Sequence, residues 1–348
     1  MKLDYNEISK ILIIKFFGIG DVILSTPVLR NLRDFFPDAE INFLTTLNCR
    51  DVLYGNPYIN RVLTFNKNTE GSYCLLKNIR KQKYNLVIDL FCNPRTTFLT
   101  YYSRAKYRIG YDFPRRKYAY NILIPASNNL EKKHNVEINL LALDTLGIPV
   151  KYKELFISVL EPHFSFAENF FRKNNISFPS IGIITSGAWE SKKYKVNDYI
   201  ELISLIRKKY NVSFILIWGT EKELDECKKI YEQHKEYSYI IPSLNLRYTA
   251  AIIKKCSFVI ANDSGLLHLS AAAGVPVLGI YGPTSPLQQG PFGDIHTTVV
   301  NEKLDCLNCA YLNCPIGNIC MTELPKEKIL MKLEELIRKN NIYLPTWD

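Results

Sequence analysis

The 348-residue sequence has no apolar run of the ~18–20 residues that a membrane-spanning helix needs. Its first ten residues, Met1 to Lys10, carry charges of both signs and no apolar signal core followed by a small-residue cleavage site. Both absences point to a soluble, cytoplasmic chain. There is no low-complexity tract and no detectable internal repeat. No Asp-x-Asp pair is present, so the sequence offers no ready-made ligand set for a metal-held diphosphate. Five histidines and three methionines are few. Acidic residues are also scarce, 34 against 44 Lys and Arg, for a formal charge of +10.

What is present is ample apolar material, 47% of residues, which excludes wholesale disorder. The length favours two domains. The charge is uneven. Residues 1–160 hold 23 Lys and Arg against 14 Asp and Glu, whereas residues 161–348 hold 21 against 20. The N-terminal half is therefore the one expected to meet an acidic partner: an anionic membrane surface, a phosphorylated lipid or a nucleic acid.

Short apolar runs alternate with helical patterns. Strands are expected at 11–16, 41–45, 61–64, 86–90, 108–110 and 120–124, then at 181–185, 213–218, 258–261 and 276–281. Helices are expected at 21–36, 135–146, 165–174, 196–209, 221–234, 247–255, 265–273 and 326–340. Strand–helix alternation predicts α/β architecture: two doubly wound, Rossmann-like parallel sheets facing a central cleft. The domains are read as 1–161 and 180–325, with a linker at 162–179 and a C-terminal amphipathic helix and tail at 326–348. In such sheets ligands sit beyond the carboxyl ends of the strands, so the strand-to-helix turns are where chemistry is sought.

The first turn is Gly18-Ile19-Gly20-Asp21. A dinucleotide fingerprint needs a third glycine where Ile23 stands, so a nicotinamide site is rejected. Asp21 serves either as a helix N-cap or as a general base that takes a proton from an incoming hydroxyl. The second turn is Asn262-Asp263-Ser264-Gly265-Leu266-Leu267-His268. Amides at Ser264 and Gly265 would open a helix and form an anion site suited to a pyrophosphate, with His268 one turn further in. A capped helix with a buried histidine is the plainer alternative. The third element runs from Thr185 through Ser186, Gly187, Trp189 and Lys192 to Tyr194. Its amides can contact phosphate, and Lys192 can present a point charge to a leaving diphosphate.

Together these elements resemble glycosyltransferase family 9, the ADP-heptose:lipopolysaccharide heptosyltransferases. The resemblance rests on residues 19–30, on Phe36 to Ile41, on the Trp189–Tyr194 loop (with Glu190 and Tyr194 replacing the family's proline and tryptophan), and on residues 262–268, 271–276 and 281–284. It implies a GT-B fold, an acceptor-binding N-terminal domain, a donor-binding C-terminal domain and inverting transfer from an ADP-sugar to a lipopolysaccharide inner-core hydroxyl. It implies Asp21 as the base and a donor site of Lys192, Asp263, Ser264, Gly265 and His268, to which Ser186 and Gly187 are added. A ribose-binding glutamate is matched by Glu221, with Glu223 as the alternative. A different donor or a protein acceptor on the same fold is the nearest competing function. No cofactor is required on this reading, and a monomer is expected.

Two features remain. Gly20 and the basic residues Arg95, Arg115, Arg116 and Lys117, with tyrosines interleaved, are assigned to the acceptor and to an anionic inner leaflet. The same interleaving suits single-stranded RNA, which is ranked lower because nothing else resembles a nucleic-acid module. Cys306, Cys309, Cys314 and Cys320 approach zinc-knuckle spacing. Reduced thiols or a strained disulfide are favoured over a structural zinc.

Overall fold

The computed structural model describes residues 3–66, 71–125 and 130–347. The chain divides into two units, Met1–Ser158 and Val159–Asp348.

The first unit holds β1 (Lys10–Ile14), β2 (Glu40–Thr46), β3 (Arg61–Phe65), β4 (Leu86–Asp89), β5 (Tyr107–Tyr111) and β6 (Ile122–Ile124), in the order β3-β2-β1-β4-β5-β6. The second holds β7 (Ser180–Ile184), β8 (Ser213–Ile217), β9 (Ser238–Ile240), β10 (Phe258–Asn262), β11 (Val277–Ile280) and β12 (Thr297–Val299), ordered β12-β11-β10-β7-β8-β9. Every pairing is parallel. The two orders are the same once each sheet is counted from its first strand. Each sheet reverses direction between its first and fourth strands, at β1/β4 and at β7/β10. That is the topological switch point at which doubly wound sheets open a crevice.

The central strands are buried on both faces, as sheets flanked by helices require. Ile11 to Ile14 and Val259 to Ala261 have no exposed surface. This is why they read in the sequence as unbroken apolar runs.

Two local expectations are corrected, and some elements appear where none was expected. Residues 21–36 are two helices, Ile19–Ile23 and Thr26–Phe35, because Pro27 has no amide to continue the ladder and stands in the first turn of the second. The segment read as a linker holds the expected helix, as Glu161–Lys173, but it packs on Leu246–Lys254 inside the second unit. The short strands β9 and β12 and the helices Ser72–Gln82 and Pro94–Tyr102 lie outside the expected elements. The two strands have three residues each, too few to show a period.

Candidate active site

In the second unit, β10 ends in Asn262, whose side chain accepts from the Tyr194 amide (3.2 Å) and the Tyr199 hydroxyl (3.0 Å) and donates to the Thr185 carbonyl (2.8 Å). One buried amide thus ties the Trp189–Tyr194 loop to the switch point. Ser264 caps the helix Gly265–Ala272, accepting from the Leu267 amide, and receives the Ser186 hydroxyl at 3.1 Å. The first-turn amides of that helix carry the positive end of its dipole.

Beside this cap, Lys192 Nζ lies 2.6 Å from Asp263 Oδ2, and both side chains are almost fully buried. The Thr284 hydroxyl donates to the same Asp263 oxygen, also at 2.6 Å. The Lys192 ammonium sits 4.3 Å from the centre of the Trp189 ring. A buried ammonium and carboxylate are tolerated only when each is answered by the other. His268 is buried on the same helix. The structure brings Ser186, Lys192, Asp263, Ser264 and Gly265, from two separate stretches of sequence, to one place.

The ribose candidates differ. Glu221 is exposed at the start of its helix. Glu223 turns back, and its Oε2 accepts from the Gly219 (2.8 Å) and Thr220 (3.0 Å) amides. A Cβ on Gly219 would stand 3.8 Å from Leu266, so this turn borders the Ser264 helix. Thr284 lies in the 281–284 turn that carries the resemblance, but the sequence assigns it no role in the site. Its signal was its place in the turn after β11, the strand paired with β10.

In the first unit Asp21 is not an N-cap. Gly18 holds that position, and Asp21 is the third helical residue, its Oδ2 accepting the Gly18 amide at 3.3 Å. Gly20 is buried beside it. At the neighbouring strand end, Asp89 is wholly buried and accepts from the Phe91 and Cys92 amides and from the Tyr120 hydroxyl (2.9 Å). Burial pushes its carboxyl above the usual range against the pull of these bonds. Tyr120 reaches it only because residue 110 is glycine, where a Cβ would stand 2.5 Å from its ring.

The basic tract is not one patch. Lys106 pairs with Glu7 and Arg108 bonds the Ala105 and Ala119 carbonyls, at the start of β5. Arg95, Arg115, Arg116 and Lys117 follow the carboxyl ends of β4 and β5. Arg116 donates to the Cys92 carbonyl (2.7 Å), and Arg95 lies over Phe65 (4.7 Å). Arg115 and Lys117 are exposed. Tyr73, Phe98, Tyr102, Tyr101 and Tyr118 form a chain of ring contacts at 4.8–5.7 Å.

The four clustered cysteines are free thiols, Cys320 buried and the others half-buried. Among the described residues, no group of three or more metal-ligating side chains is gathered closely enough to hold a metal ion. Burial pushes the Cys320 thiol up to about 11. The segment buttresses the site, since Ser191 donates to the Tyr311 carbonyl (2.7 Å) and the Ala310 amide to the Pro283 carbonyl (2.8 Å). No described helix is long and apolar enough to cross a membrane.

A family model described as glycosyltransferase family 9 (heptosyltransferase) matches residues 73–320. Lipopolysaccharide heptosyltransferase 1 of Campylobacter coli is 24% identical over 344 residues, covering 94% of this chain and 98% of that protein. A family 9 glycosyl transferase structure from Veillonella parvula is similar at a TM-score of 0.81 and 22% identity, over 97% of this chain and 99% of that one. The E. coli heptosyltransferase WaaC with ADP is similar at 0.73 and 19%, over 96% and 100%. The two sheets share their fold, the GT-B class. With the match spanning most of its length, the chain belongs to glycosyltransferase family 9, the heptosyltransferases, and is a glycosyltransferase.

Proposed function

We propose that this enzyme moves a heptose from ADP-heptose to a hydroxyl of a lipopolysaccharide inner-core acceptor, with inversion at the anomeric carbon. The observation that carries this reading is the buried Lys192–Asp263 pair at the mouth of the Ser264-capped helix. A diphosphate placed there meets the ammonium and the first-turn amides together, which answers the charge that develops as the bond to the sugar breaks. Asp263 holds Lys192 in place and offers a carboxylate oxygen to sugar hydroxyls.

Asp21 is the proposed base. It takes the acceptor proton as the acceptor oxygen bonds to the anomeric carbon and the bond from that carbon to the diphosphate oxygen breaks, releasing ADP. Lys192 and the helix amides supply the positive charge, with His268 as a further hydrogen-bond donor to phosphate, so transfer should persist with a chelator present. The +10 chain, with Arg115 and Lys117 exposed beside the ring ladder, supports peripheral binding to an anionic cytoplasmic leaflet.

The test is a donor screen by mass spectrometry on deacylated core acceptors, with and without EDTA. A mass increase of one heptose from ADP-heptose alone is the expected result. Transfer from another nucleotide sugar only, or stabilisation by oligonucleotides and not by ADP, overturns it.

A further inference from the structure

Thr284 follows β11 in the turn Gly282-Pro283-Thr284 and is buried. Its hydroxyl and the Lys192 ammonium approach the same oxygen of Asp263, Oδ2, each at 2.6 Å. Oδ1 accepts no hydrogen bond from any described residue, although the side chain is only 4% exposed. A buried carboxylate oxygen without a donor is costly unless a ligand supplies one. An ionised carboxylate only accepts, so the missing partner is an O–H or N–H group.

The backs of both approaching turns are held by one segment. The Asn308 and Ala310 amides donate to the Gly282 (3.3 Å) and Pro283 (2.8 Å) carbonyls, and the Ser191 hydroxyl donates to the Tyr311 carbonyl (2.7 Å). Residues 308–311 therefore brace the Lys192 loop and the Thr284 turn together. Strand order sets which end of the donor lies here. β11 and β8 flank the switch-point pair β10 and β7 on opposite sides. With the ribose at the β8 turn, beside Glu221 and Glu223, and the diphosphate on the Ser264 helix, the glycosyl group falls at the β11 turn.

We propose that Thr284 is a positioning residue for the donor: with Lys192 it occupies Asp263 Oδ2 and so presents Oδ1 to a hydroxyl of the transferred sugar. The proposal rests on the reading of an ADP-sugar donor. Thr284 acts through Asp263. Its β-branched side chain is stiff, and a short charge-assisted bond from it fixes the rotation of the carboxylate.

Calorimetric titration without acceptor compares ADP with ADP-heptose, and the ratio of the two affinities reads the glycosyl contact alone. The parent chain should bind ADP-heptose more tightly than ADP. Thr284→Val keeps the shape and removes the hydroxyl. It should bind ADP nearly as the parent does and lose roughly tenfold of the ADP-heptose advantage. Thr284→Ser, which keeps the hydroxyl, should restore the ratio. Thr284→Ala also removes the hydroxyl and serves if Thr284→Val does not fold. A merely structural role would weaken both ligands alike. An unchanged ratio in the hydroxyl-free variant overturns the proposal, as does a parent chain that binds the two ligands equally. Failure of the donor reading shows separately: the parent chain would then bind neither ADP nor ADP-heptose, and the role of Thr284 falls with it.

Discussion

Lys192 Nζ and Asp263 Oδ2 stand 2.6 Å apart with hardly any solvent on either side chain. One comes from a loop after β7 and the other from the end of β10, 71 positions later in the chain, so the pair reports that the switch point of the second sheet has closed correctly.

Because each charge answers the other, removing one should cost more than removing both. Lys192→Met leaves a buried carboxylate with only the Thr284 hydroxyl and should lose about 3–5 kcal/mol of stability. Lys192→Met with Asp263→Leu should recover most of that loss and still fail to bind ADP. Urea unfolding and calorimetric titration with ADP check both halves. A double variant as unstable as the single one would contradict the pairing argument.

Asp21 lies in the other unit. Asp21→Ala should bind ADP with unchanged affinity and lose transfer by about 10²–10⁴-fold, the usual worth of a general base. Turnover near the wild-type level would take Asp21 out of the chemistry.

Membrane binding should rest on charge and exposed rings together. Arg115→Gln with Lys117→Gln should weaken binding to anionic liposomes, more so at low than at high salt. Tyr73→Ser with Tyr118→Ser should weaken it at all salt concentrations, since these rings are 79% and 66% exposed. Flotation assays read both. Arg116 is held by the Cys92 carbonyl, so its substitution is expected to disturb the fold as well.

Stability should fall in mild acid because of His296. Burial lowers its ring from the ordinary 6.5 to about 4, and its Nδ1 accepts the Val277 amide at 3.2 Å, which requires an unprotonated nitrogen. The unfolded chain binds the proton more readily. The contribution is complete above about pH 6.5, declines as pH drops toward 4, and amounts to roughly 3 kcal/mol. Burial also lowers His163 and His234, which act in the same direction. Urea midpoints at pH 7 and 4.5 should differ less in His296→Gln than in the parent chain. An equal difference in both would assign the acid sensitivity elsewhere.

The amino-acid sequence by itself determined the alternation of buried strands and helices. A strand covered on both faces must be apolar throughout, and Ile11–Ile14 and Phe258–Ala261 show it without any neighbour being known. It also marked the turns that carry Asp21 and Asp263, because a glycine or a capping serine after such a run is local chemistry. Tertiary structure alone decided which of those residues meet. Nothing local says that Lys192 ends against Asp263 and Thr284, that Glu223 folds back on its own turn, or that Asn139 reaches Lys15 from 124 positions away. Pairing partners are set by strand order and by which buried charges find an answer, and both are properties of the assembled sheet.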